Sequence, residues 1–467
     1  MSKSIRVNNN ACKKPREETV TDDHGEDIIS NLPENIISHI LSLLPAKDAL
    51  RTSALSKDWE YKWTCIYNID IDETKRFSRK RKKAREKTAV NFVDRILLFA
   101  QIPTIKTFRL KFLYKYSPSR LRAWISTALM RNVENLEINY DHEGVVLPRC
   151  LFNCKSLTIL KLRLPCTLRV PAGNWFSNLK ILYLARVEIL NACVSNTPMF
   201  DFPVLERFDL DNCKWLEVNF VEIKAPALSK FNVTNHSGLP KGENCRIKIS
   251  GAKLLKFHLY GHFVENFDLS ASSVFSVIVN CRFLAIDLPF VQKDGLSARL
   301  LLKRCFSLKH LKLAGSVVEG IVISKQGPPL PEFQMLKQLE LLDKCKIGAV
   351  LEMLHAMPIL ETIVFDMCLW DDDKYDEVKS VPSCITCHLS KVQFRGFNGR
   401  KAQVHFADFW LTNAVRLKKM LGLYRKRSDE SQTEENFWTK LKNAFKDGNF
   451  RVDSFIKNMA DFERFFG

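Results

Sequence analysis

No run of 18 uncharged apolar residues occurs in the 467-residue chain, so no helix is expected to span a membrane. Glycine (17) and proline (18) are scarce, which excludes a collagen-like or low-complexity protein. The first 25 residues are polar and charged, so no secretory signal is expected. Cysteine is sparse as well: the 14 present fall at irregular spacings and should be reduced, buried thiols. The motifs of common chemistries are missing. There is no G-x-x-x-x-G-K-[ST] phosphate loop, no G-x-S-x-G turn and no H-E-x-x-H pair. The ten histidines are scattered, and no nucleophile can be paired with a base. No catalytic residue, metal ligand or cofactor is therefore expected.

What is present begins with charge. Lys and Arg number 71 against 52 acids, a net +19. One segment, Lys75 to Lys87, carries nine basic residues and one acid. Within it Arg79, Lys80, Arg81, Lys82, Lys83 and Arg85 have the composition of a nuclear signal or an anion-binding patch. The competing expectation is a solvated basic loop over 73–90. The run lacks the interleaved aromatics that single-strand binders use for stacking. A nucleic-acid-binding repeat domain is the alternative that the charge supports.

Order should start near Asp27. Pro33 suits a helix start, where a missing N–H costs nothing. Ile36, Ile37, Ile40, Leu41 and Leu44 then recur at helical spacing, and Pro45 stops the run. A second short helix is predicted over Ala46 to Thr52, and a third from Ser56 that carries Leu55, Trp59 and Trp63 along one face. Three short helices cannot bury that much apolar surface among themselves. It faces a partner, or it packs onto the rest of the chain.

From residue 105 a template of apolar-x-x-apolar-x-apolar recurs twelve times. Its middle positions are Phe108, Leu136, Leu160, Leu182, Phe208, Phe231, Phe257, Val277, Leu311, Leu339, Ile363 and Val392. The mean step of about 26 residues lies in the leucine-rich-repeat range. A short strand puts alternate residues on one side, and one such unit cannot bury its own face. Stacked units predict a solenoid with a parallel sheet; an ordinary α/β domain is the competing reading. The longest step, Val274 to Leu308, leaves room for a poorly matched unit. Cys154, Cys213, Cys281, Cys305, Cys345 and Cys368 fall near strand ends and read as core.

After Val381 a strand (Leu389 to Phe397) and a glycine turn precede a helix carrying Phe406, Trp410, Ala414, Leu417 and Leu421 on one face. Two further helices are predicted, one around Phe437 to Phe445 and one near Val452 to Phe466. Cys384-x-x-Cys387-His388 has the form of a haem attachment, but it occurs once and runs into a strand. The acids Asp371, Asp372, Asp373, Asp376 and Glu377 lack EF-hand spacing and read as a solvated loop.

Two segments carry a resemblance. DIISNLPENIISHILSLLPAKDALRTSALSKDWEYKW, Asp27 to Trp63, resembles the plant-type F-box without a gap, with Asp58 where that family usually has Arg. Pro382, Ser383, Cys384, His388, Leu389, Val392, Phe394, Gly396, Phe397 and Gly399, with Leu411, Asn413, Ala414, Leu417, Lys418, Lys419 and Met420, are similar to the FBD region of plant F-box/FBD/LRR-repeat proteins. The resemblance implies an α/β chain. A disordered N-terminus (1–25) and a three-helix F-box module (26–72) would precede the basic loop (73–90). An irregular leucine-rich-repeat solenoid (91–380) and an α+β FBD-like region (381–467) would follow. It further implies a substrate-recognition subunit of an SCF-type ubiquitin ligase, acting in nucleus or cytoplasm. Its F-box would dock a Skp-type adaptor, and through it a cullin, by Leu32, Pro33, Ile36, Ile40, Leu41, Leu44, Pro45, Leu55, Ser56, Lys57, Trp59 and Trp63. The repeats would hold an unknown protein target. A ligase-independent scaffold is the remaining alternative.

Overall fold

A computed structural model describes residues 29, 31–74, 82–99, 104–171, 176–191, 199–216, 220–235, 246–250, 254–261, 266–269, 276–280, 288–305, 307–324, 329–343, 345–366, 380–397 and 401–424. The predicted N-terminal tail, the acidic loop and the helices after Ser428 lie outside these, as do Arg79, Lys80, Arg81, Cys281 and Cys368.

Nine α-helices are described: α1 (Glu34–Leu43), α2 (Ala46–Arg51), α3 (Lys82–Phe99), α4 (Pro118–Met130), α5 (Leu288–Leu302), α6 (Gly315–Ile323), α7 (Ile347–Leu354), α8 (Ser383–Cys387) and α9 (Lys401–Asn413). The first strands are β1 (Asn68–Asp72), β2 (Thr107–Phe112), β3 (Asn135–Tyr140), β4 (Ile159–Val170), β5 (Ile181–Asn191), β6 (Met199–Asp201), β7 (Arg207–Asp211), β8 (Lys214–Leu216), β9 (Phe220–Lys224) and β10 (Lys230–Asn235). Then come β11 (Arg246–Ser250), β12 (Lys256–Gly261), β13 (Asn266–Leu269), β14 (Ser276–Asn280), β15 (His310–Leu313), β16 (Gln338–Leu341), β17 (Thr362–Asp366), β18 (Lys391–Phe397) and β19 (Lys419–Tyr424).

One parallel sheet runs β1-β2-β3-β4-β5-β7-β10-β12-β14-β15-β16-β17-β18-β19, with β8 paired to the far end of β5. All twelve template residues stand in register across it, from Phe108 beside Leu136 to Ile363 beside Val392. They are buried, and their neighbours in sequence point to the opposite, partly solvated face. A parallel ladder needs a crossover after each strand. Helices supply it at both ends of the sheet: α3 and α4 after β1 and β2, and α5 to α9 from β14 onward. In the middle, a second parallel sheet β13-β11-β9-β6 does so. Its strands read FVEIK, RIKIS and NFDL, apolar at every second residue, so they bury one face against the first sheet. Phe267 of β13 stacks edge-on against both Phe231 and Phe257.

Five sequence expectations are corrected. The N-terminal module holds two α-helices and three 3-10 turns (Thr52–Ala54, Lys57–Trp59, Lys62–Cys65), not three α-helices. Tighter turns break the four-residue spacing, so Leu55 is exposed while Trp59 and Trp63 are buried. Second, the basic segment is not a loop throughout, because α3 begins at Lys82 and takes in Lys83 and Arg85. Third, among the described residues the long step before Leu308 adds no strand to the sheet. Strands β14 and β15 pair directly, and the extra chain contains α5, where Gly295 lies against the Gly320 backbone of α6.

Fourth, α9 ends at Asn413, and Lys419 opens β19, so Leu417 and Leu421 are not on its face. The free edge of β18 offers the chain a ladder of backbone hydrogen bonds that a longer helix would forgo. Fifth, the sheet exceeds the twelve template strands at both ends. Ile66, Ile69 and Ile71 fit the template within the segment assigned to the N-terminal module, and β1 is the first strand of the sheet.

Candidate functional site

Helix α1 is apolar on two faces. Ile37 and Leu41 point inward with Ala46 and Ala49 of α2. Ile36, Ile40 and Leu43 lie along the opposite face and stay in solvent, Leu43 at 70% exposure. Leu44 just beyond the helix, Leu55 between the first two 3-10 turns, Ile29 and Tyr61 are exposed too. Leu43, Ile29 and Tyr61 are not among the adaptor contacts expected from the sequence. For Leu43 the signal was there, three residues beyond Ile40 and seven beyond Ile36 on a 3.6-residue repeat.

The inner face is tied down. Trp63 is 2% exposed. Its indole N–H donates to the Glu60 carbonyl at 2.9 Å, Phe99 of α3 packs edge-on at 6.4 Å, and the Arg95 guanidinium sits 5.8 Å over the ring. Trp59 is also buried, with Lys62 Nζ 4.9 Å from its ring centroid. Polar groups join the helices to the start of the sheet. Ser38 Oγ donates to the Cys65 carbonyl (2.6 Å), the Tyr67 backbone N–H donates to Ser42 Oγ (3.2 Å), and Asn68 Nδ2 donates to the Ser42 carbonyl (3.2 Å). Thr52 and Ser53 hydroxyls bond back to the Ala49 and Leu50 carbonyls, occupying acceptors at the end of α2.

The twelve residues singled out in the sequence thus divide. Pro33, Ile36, Ile40, Leu44, Pro45, Leu55, Ser56 and Lys57 are exposed, and Leu32 is half-buried. Leu41, Trp59 and Trp63 are inside the chain's own core. The apolar excess is therefore split: part of it packs into the chain's own core, and part stays exposed. Lys82, Lys83 and Arg85 of the basic run lie in the first turns of α3.

On the sheet's outward face, acids and bases alternate over the first strands. Arg109 bridges Asp70 (3.2 Å) and Glu137 (3.1 Å), Lys161 reaches Glu137 (3.6 Å) and Lys111 reaches Asp72 (3.8 Å). Each such half-exposed pair contributes little alone, but together they favour one strand register. Farther along, Glu340 is almost wholly buried between Lys312 (2.7 Å) and Arg395.

In the C-terminal part, Phe365 of β17 packs against Phe394 of β18 and against Phe406 and Trp410 of α9. Cys384 is buried and its thiol points at the Leu354 carbonyl, while Cys387 and His388 are exposed. Burial pushes the Cys384 thiol up to about 11. Cys154, Cys305 and Cys345 are buried as expected, and Cys213 is half-buried. Among the described residues no group of three His, Cys, Asp or Glu side chains could hold a metal ion, and no helix is long and apolar enough to cross a membrane.

Comparison with known proteins fits this layout. The F-box domain family model matches residues 29–65, the helical module up to the start of the sheet. The FBD family model matches 376–421, which takes in α8, β18, α9 and the start of β19. Over 91% of its length the chain is 28% identical to an F-box/FBD/LRR-repeat protein of Arabidopsis thaliana, covering 94% of that relative. It is 28% identical to an FBD-associated F-box protein (84% of this chain, 89% of the relative) and 27% identical to an F-box/LRR-repeat protein (87% and 90%), both also from Arabidopsis thaliana. The chain therefore carries an F-box domain and an FBD, and along most of its length it is related to plant proteins named for these two domains and for leucine-rich repeats.

Proposed function

We propose that this protein is the substrate-recruiting subunit of an SCF-type ubiquitin ligase. The exposed face of α1 (Ile36, Ile40 and Leu43), together with the exposed Leu44 and Leu55, docks a Skp-type adaptor, which in turn joins a cullin. The parallel sheet, read as an irregular leucine-rich-repeat solenoid, and the FBD at its end hold the target. The observation that carries this reading is the two-sided module. Its tryptophans brace it from inside while large apolar side chains stay in water, where a monomer gains nothing from them. The names of the relatives point the same way, to an adaptor rather than a catalyst.

The chain acts by proximity. It raises the concentration of target lysines near a charged ubiquitin carrier, and the ubiquitin chemistry belongs to other subunits. Both nucleus and cytoplasm suit this role, and the basic run supports nuclear entry.

The test is a pull-down with a Skp-type adaptor, comparing wild type with Ile40→Ala, Leu44→Ala. Truncating a central anchor typically costs about 2 kcal/mol, so the pair should weaken binding at least about thirtyfold. Wild-type failure to bind, or binding unchanged in the double variant, refutes the docking reading.

A further inference from the structure

We propose that the outward face of the sheet carries a docking track for an extended, acidic segment of the protein target, an inference that rests on the target-recruiting reading above. The first residue of each strand forms one row across the sheet. In sheet order that row reaches Arg207, Lys230 and Lys256 on three adjacent strands, then His310, then Lys391 and Lys419 on the last two. No acid occupies the row on any strand from β1 to β19.

The acids of this face lie in neighbouring rows, and those nearest the cations are already engaged. Asp209 accepts from Arg207 Nε at 2.7 Å and from Asn232, and Glu340 is held by Lys312 and Arg395. Lys230, Lys256, Lys391 and Lys419 form no ion pair among the described residues. Adjacent strands stand about 4.8 Å apart, and like charges directly opposite each other destabilise a sheet.

Two groups of this face feel the neighbouring cations, in each case behind the effect of burial. Burial, then Lys256 and Lys312, hold the His258 imidazole below its ordinary value. Burial, then Lys419 and Arg395, hold the Lys391 ammonium below its own. The fold gains nothing from this arrangement, whereas a carboxylate-bearing partner would relieve it. The eight strand steps from Arg207 to Lys419 span about 38 Å, the reach of roughly 12 extended residues. Between the two cationic groups the row presents Ser276, His310, Gln338 and Thr362. These offer hydrogen bonds, and His310, bonded to Gln338 at 3.1 Å, is the one aromatic ring of this stretch, short of the successive stacking platforms that single-stranded nucleic acid uses.

The probe is a fluorescein-labelled, glutamate-rich peptide of about 12 residues, read by anisotropy against the full-length chain at about 50 mM salt, where screening is weak. The variant is Lys230→Glu, Lys256→Glu. The control, Lys115→Glu, Lys303→Glu, makes the same change in net charge at exposed positions off this row. Reversing two charges removes two attractions and adds two repulsions, so the row variant should bind about tenfold more weakly and the control within about twofold. Equal weakening by both variants, or no measurable binding by wild type, overturns the proposal. So does a single-stranded oligonucleotide of equal charge that binds more tightly than the peptide and is lost with the row variant. Adaptor pull-down on the same preparations separates the two readings. Row-dependent peptide binding without any adaptor binding removes the ligase role and leaves the track standing, while the reverse result removes the track alone.

Discussion

Trp63→Ala should unfold the F-box module, not merely disarm its surface. The side chain is 2% exposed, and its truncation deletes the contacts with Phe99 and Arg95 together with the indole donor to Glu60. Buried Trp→Ala changes cost about 3–5 kcal/mol, and a module of two helices and three turns has little to spare. Its polar attachment to the start of β1 runs through Ser42, Tyr67 and Asn68, so loosening at Trp63 should release the helices locally while the sheet persists. By contrast, Ile40 and Leu44 are about two-fifths exposed, and truncating each should cost less than about 1 kcal/mol. Urea titration followed by tryptophan fluorescence, limited proteolysis of the first 70 or so residues, and adaptor pull-down distinguish the two cases. Trp63→Ala should become protease-sensitive and lose the adaptor, whereas Ile40→Ala, Leu44→Ala should resist protease and still lose it. A Trp63→Ala protein with stability within about 1 kcal/mol of wild type but no adaptor binding would make Trp63 a direct contact and refute the inside/outside division.

Three further outcomes are expected. Glu340→Ala strands Lys312 and Arg395, but both are about one-third exposed and can turn to water. The loss should therefore be about 1–3 kcal/mol in urea, below the 3–5 of a fully enclosed pair, and Glu340→Gln should lose less. Gly295→Ala drives a methyl into the Gly320 backbone. It should lower stability by about 1–3 kcal/mol by forcing α5 from α6, and an unchanged urea midpoint would contradict that close crossing. Burial pushes the Cys166 and Cys305 thiols up to about 12. Between their ordinary value near 9 and 12 the folded chain keeps protons that the unfolded chain releases, so stability should fall as pH rises through that window and be unaffected by these groups below it. The urea midpoint at about pH 10 against about pH 8 reads this, and Cys166→Ala should flatten the decline.

The strands were legible because their signal is local. A residue that must be buried alternates with one that need not be, and the same spacing returns each time the chain comes back to the sheet. Phe108, Leu136 and Leu160 could be placed side by side before any coordinates, and they pair in register. Leu417 to Leu421 were misread for the converse reason. Leu417 and Leu421 satisfy helical spacing, Gly422 breaks the strand template where Phe394 has its partner, and a short apolar run cannot decide between helix and strand. Only the unpaired edge of β18 did. The second sheet escaped because its strands look like crossover chain until the first sheet lies beneath them.

The F-box residues show the same boundary most clearly. From the amino acids alone came the helix, its proline stop and the excess of apolar side chains. Which of those side chains face water was not encoded in α1, since Ile36, Ile37, Ile40 and Leu41 are chemically alike. It was decided where Cys65, Tyr67 and Asn68 close on one side of the helix. Hydrophobicity is a property of a side chain, whereas burial is a property of what packs against it.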